Sequence, residues 1–104
     1  MKLLIITAVK EYSKSVEKIL KDAAVSVFSV TDTIGVKNSP DDYLLDDWFG
    51  SDDGNKYDSV FIFSFCTTSA ADKVFNLIEL YNAQSNDNQF PIRAFIVPVD
   101  KSTK

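Results

Sequence analysis

One stretch constrains the fold of this chain more than any other. Residues 57–65 place Phe61, Phe63 and Phe65 at period two, with Val60 and Ile62 at the alternate positions. Side chains of a strand alternate between its faces, so this strand carries large apolar groups on both sides. Residues 3–9 repeat the pattern, with Leu3 and Ile5 on one side and Leu4 and Ile6 on the other. Strands of this kind belong in a sheet that is covered on both faces.

Only two segments read as helices that could supply the cover. Val16, Ile19, Leu20 and Ala23 recur at helical spacing as one apolar stripe, with Lys14, Glu17, Lys18 and Lys21 on the opposite side. Ser13 is placed to cap this helix. A second helix is predicted over residues 69–83, with a stripe of Ala71, Val74, Phe75, Ile78 and Tyr81. Ser69 and Asp72 form its start signal. Residues 25–35 return to period two, with Phe28, Val30 and Ile34 facing one way, Ser29, Thr31 and Thr33 the other, and Gly35 at the end. Residues 92–99 make the last strand, and Pro98 near its end suits a sheet edge. The tail after Asp100 carries no pattern and is expected to fray.

The order is β-α-β-β-α-β without internal repeat. It predicts an α+β fold, a ferredoxin-like βαββαβ sandwich with two helices on one face of an antiparallel four-stranded sheet. Residues 1–104 read as one such domain, with a long insertion at 38–56.

Two helices cover one face only. The other face then holds several large apolar side chains, each worth roughly 1.5–3 kcal/mol when fully buried. A patch of that size marks an interface, so the chain is expected to associate with copies of itself. A longer helix, or the tail folded over the sheet, would satisfy the same residues within one copy.

The 38–56 insertion is far longer than a hairpin needs. Its six aspartates, Asp41, Asp42, Asp46, Asp47, Asp52 and Asp53, face one base, Lys56, so the negative excess of the whole chain (formal charge −4) resides there. Tyr43, Leu44, Leu45, Trp48 and Phe49 are interleaved with them. Aromatic anchors among like charges read as a loop that docks on a target protein. The plainer alternative is that the apolar residues pack on the body while the aspartates keep the loop solvated. Asp52-Asp53-Gly54-Asn55 lacks the terminal glutamate of a calcium loop.

Several chemistries are disfavoured by what the chain lacks. With no histidine there is no imidazole base and no Ser-His or Cys-His pair, and one cysteine cannot build a zinc site. Gly35, Gly50 and Gly54 match no phosphate-loop spacing. No catalytic residues are assigned. The acidic balance disfavours nucleic acid and anionic membrane surfaces. Cys66 is read as a buried thiol; its place beside a helix start leaves a lowered pKa as the alternative. The apolar run at 3–9 is too short to span a bilayer and meets Lys10 instead of a cleavage site. With a lone cysteine, a cytoplasmic protein is expected.

Several of these segments, taken together, are similar to those of one family. Val16-Glu17-Lys18-Ile19-Leu20, then Val27-Phe28-Ser29-Val30-Thr31-Asp32-Thr33-Ile34-Gly35, resemble the first helix and second strand of the PII signal-transduction (nitrogen regulatory) family. Phe95-Ile96-Val97-Pro98-Val99-Asp100 resembles its fourth strand, and the 38–56 insertion falls where the family carries its partner-binding T-loop. The resemblance covers nearly the whole chain through short motifs. It implies a homotrimer with the free sheet faces turned to the threefold axis, small effectors (typically adenine nucleotides) in the clefts between subunits, and a T-loop that docks on targets. On it, Gly35, Lys37 and Asn38 at the loop base, Asn86, Asp87, Asn88 and Gln89 across the cleft, and Lys101 become the candidate ligand-binding residues. Asp41, Asp42, Tyr43, Leu44, Asp46, Asp47, Trp48 and Phe49 become the candidate partner-binding loop.

This chain departs from the family at the ligand. Ser85-Asn86-Asp87-Asn88-Gln89 stands where the family has glycines and a lysine that hold phosphates. Val36-Lys37-Asn38 lacks the glutamine that usually follows, and Asp42 and Leu44 flank Tyr43 in place of the modification site. Of a basic C-terminal segment only Lys101 and Lys104 remain. A nucleotide at an aspartate-bearing loop would meet like charge, so no cofactor is assigned and the effector stays open. A trimer resembling the CutA family, holding divalent metal on loop aspartates, is the alternative.

Overall fold

The computed structural model describes residues 1–36, 56–84 and 90–103. They form the predicted sandwich: strand β1 (Lys2–Val9), a 3-10 turn (Lys10–Tyr12), helix α1 (Ser13–Asp22), strands β2 (Ser29–Val36) and β3 (Lys56–Cys66), helix α2 (Thr68–Gln84) and strand β4 (Arg93–Pro98). The sheet is antiparallel throughout, in the order β2-β3-β1-β4. Its two central strands, β1 and β3, are apolar on both faces, as is edge strand β4 with Phe95 and Val97 on one face and Ala94 and Ile96 on the other. Pro98 sits at the end of an edge strand, opposite Lys2, where a missing N–H costs least.

The core lies between the sheet and the helices. Leu4, Ile6 and Ala8 of β1 and Val60 and Ile62 of β3 are buried against Val16, Ile19 and Leu20 of α1 and Val74 and Ile78 of α2. The helical stripes read from the sequence are therefore the buried faces. Phe75 and Tyr81 are half-buried at the margin of the α2 stripe, and the Tyr81 ring meets Tyr12 edge-on at 6.2 Å.

Both helix starts differ from expectation. Ser13 does not cap α1. The 3-10 turn runs straight into the helix, Tyr12 holds the cap position without a side-chain bond, and the Ser13 hydroxyl donates to Glu17 at 3.3 Å instead. At α2 the cap is Thr67, whose Oγ1 accepts from the Ala70 N–H at 3.2 Å, and Ser69 lies inside the first turn. A cap requires non-helical backbone at its own residue, and the preceding turn or strand sets that.

Strand β2 begins at Ser29, four residues later than the period-two pattern predicts. Helix α1 ends on Ala24 at φ 61°, and the Val25 N–H returns to the Leu20 carbonyl at 2.9 Å. The Ser64 hydroxyl donates to the Val27 carbonyl at 2.7 Å. Both bonds engage backbone that a longer strand would use. Ala24 occupies the left-handed region, which disfavours a residue with a Cβ by about 1–2 kcal/mol. Ala24→Gly is expected to raise the unfolding free energy by about 1 kcal/mol, read as a higher urea midpoint at unchanged slope.

Strand β4 begins at Arg93 rather than Ile92 for a similar reason. The Asn82 amide brackets Ile92, accepting from its N–H at 3.0 Å and donating to its carbonyl at 2.9 Å. Both backbone groups of Ile92 are engaged before the sheet ladder starts. The last residues, 101–103, are exposed and carry no regular structure.

Candidate functional site

Antiparallel pairing brings four strand ends together. Val9 and Thr33 both lie opposite Ser59, Gly35 opposite Tyr57, and Arg93 opposite Thr7. The end of β1, the end of β2, the start of β3 and the start of β4 therefore share one end of the sheet. The chain leaves β2 at Val36 and enters β3 at Lys56 and β4 at Arg93 at that end. Gly35 is buried at this end. Lys37, Asn38, Asn86, Asp87, Asn88 and Gln89 lie outside the described residues, as do Asp41, Asp42, Tyr43, Leu44, Asp46, Asp47, Trp48 and Phe49. Lys101 follows Val99, whose N–H bonds the Met1 carbonyl at the opposite end of the sheet. Within one copy, then, Gly35 and Lys101 are not brought together.

Directly opposed residues of an antiparallel pair project from the same face, and the register so defines the face that carries no helix. Across it run the rows Val97–Leu3–Phe65, Phe95–Ile5–Phe63–Ser29, Arg93–Thr7–Phe61–Thr31 and Val9–Ser59–Thr33. The first two rows apart from Ser29, together with Phe61, make a continuous apolar surface. The Phe61 and Phe63 rings are 6.0 Å apart and those of Phe63 and Phe65 6.4 Å, the latter nearly perpendicular. Phe65 is 58% exposed and Val97 39%. Large apolar residues at this exposure are ordinary when scattered; here they form a contiguous row.

The face becomes polar towards the loop end. Thr7, Ser59, Thr31 and Thr33 present hydroxyls there, and Arg93 stands at its margin, half-buried. Thr7 and Ser59 are buried, and the Ser59 hydroxyl has no hydrogen-bond partner among the described residues. A buried polar group is costly unless paired. Among the described residues Arg93 is the one cation on this face. Sequence reading passed over it. The signal was available, since Arg93 is in phase with Phe95 and Val97 and an arginine in phase with apolar strand positions lies on their face.

At the same end of the sheet, Lys10, Asp32, Thr33, Ile34, Asp58 and Ser59 line a hollow of about 290 Å³. The Lys10 ammonium lies 3.4 Å from the Asp32 carboxylate, both well exposed. An exposed pair of this kind contributes little to stability. No group of three or more potential metal-binding side chains occurs among the described residues.

Cys66 ends β3, half-buried. Burial pushes its thiol pKa up, and the nearby N-terminal ammonium offsets this only in part. The neutral thiol is thus the favoured form and the nucleophilic thiolate is disfavoured. Iodoacetamide at pH 8 is expected to alkylate Cys66 more slowly in the native chain than in the urea-unfolded chain. Equal rates would remove any role for burial. Because burial raises the folded-state pKa, the fold is relatively more stable below the ordinary thiol pKa and loses stability as pH rises through the raised folded value, where the thiolate must be buried.

No family model matches the sequence, and no curated protein matches it. The fold does have solved counterparts. A protein from Thermus thermophilus described as a PII-like signalling protein superposes with a TM-score of 0.58 at 10% identity, over 91% of this chain and 82% of that one. At that identity the likeness establishes the fold, a PII-like ferredoxin sandwich. No helix among the described residues is long and apolar enough to cross a membrane.

Proposed function

We propose that this protein, with its PII-like fold, is a cytoplasmic regulatory module that assembles as a homotrimer through the helix-free face of its sheet. In this reading it binds a small effector in clefts between subunits and docks on a target protein through the acidic 38–56 loop. The observation that carries the reading is the aromatic row Phe61, Phe63 and Phe65 with Leu3, Ile5, Phe95 and Val97, apolar surface on a sheet whose two helices are both on the other side. Association of copies removes that surface from water at about 25 cal/mol per Å². Light scattering at micromolar concentration is expected to give three times the 11.6 kDa chain mass. A mass of one chain would overturn the trimer and the clefts with it.

The polar end of the same face supports the effector part of the proposal. Arg93 and the Thr7 and Ser59 hydroxyls lie at the same end of the sheet as Gly35, with Arg93 on edge strand β4 and Gly35 on the opposite edge strand β2. A guanidinium offers a planar fork of donors suited to a carboxylate or phosphate, so an anionic small molecule is the expected effector class. Lys101 of a neighbouring copy is available to such a cleft only in the assembly.

Thermal unfolding in the presence of adenine nucleotides, 2-oxoglutarate, bicarbonate and divalent metals tests this. Ligand at about 100 times its dissociation constant adds about 2.7 kcal/mol to the native state, a readily measured rise in midpoint. We expect the rise with an anion, and its loss in Arg93→Ala. A rise with metals alone would replace the anionic effector with a cation held by loop aspartates. No rise with any of them would leave the loop and its protein partner as the function.

A further inference from the structure

We draw no further inference here: the strongest candidate, the exposed apolar patch of Val27, just before edge strand β2, and Val30 and Ile34 on that strand, carries nothing because nothing in the structure shows what covers it.

Discussion

Phe63→Glu is expected to reduce the protein to single chains of 11.6 kDa while leaving the fold intact. Phe63 lies between Ile5 and Ser29 in the register, with Phe61 and Phe65 above and below it on the same face. It is half-buried, and neither helix packs on that face. In one copy a carboxylate here remains within reach of water, so folding loses little. In a trimer three such carboxylates would be brought together inside an apolar interface. Burying one unpaired ion costs several kcal/mol after relaxation, and like charges add repulsion. The same substitution also removes an aromatic side chain worth roughly 1.5–3 kcal/mol on full burial. Light scattering reads the mass and far-ultraviolet circular dichroism reads the fold. Asn76→Glu, on the exposed side of α2, is the matched control and should leave the mass unchanged. A Phe63→Glu chain that keeps the native assembly would show that this face is not where the copies meet.

Ile6→Ala should produce the largest loss of stability among single truncations of the core, about 2–5 kcal/mol. Ile6 is fully buried and pairs with Ile62 on one side and Ala94 on the other, at the centre of the face that supports both helices. Its removal leaves a hole bounded by two central elements of the sheet, which cannot collapse without breaking the ladder. Domains of this size hold about 5–15 kcal/mol in total, so the loss is a large share of the whole. Urea unfolding is expected to show a lower midpoint at unchanged slope. Ile5→Ala, one residue away on the opposite face, separates core from interface. Its effect on stability should depend on protein concentration, because Ile5 is completed by a neighbouring copy in our reading. The Ile6→Ala effect on the chain itself should be present at every concentration. If both variants behave alike, the two faces do not have the different roles assigned to them.

Part of the candidate site was legible in the residues and part was not. The apolar row Phe61, Phe63 and Phe65 and the base of the loop at Gly35 follow from period-two alternation and a strand end. Arg93 became a site residue only once β4 was paired with β1, which set it across from Thr7 at the loop end of the sheet. Lys101 moved the other way: the family resemblance suggested a place in the cleft, but the strand direction carries it to the far end within one copy.

Local chemistry in the chain determined the kind and order of the elements, the buried stripes of both helices and the alternating faces of the strands. Each depends on repeat distances of a few residues, and burial then stabilises the pattern already present. Tertiary structure decided where the elements begin and what each face meets. Thr67 displaced Ser69 as a cap, Ser64 took the carbonyl of Val27, and Asn82 held Ile92 out of β4. The Ser64 and Asn82 bonds join residues ten or more positions apart in the chain, and a pattern read along a few neighbours contains no information about such partners. The strand order β2-β3-β1-β4 likewise arises from pairings across the chain. This order puts β1 and β3 at the centre, and the packing of both helices on one side leaves the aromatic side of the sheet without a helix.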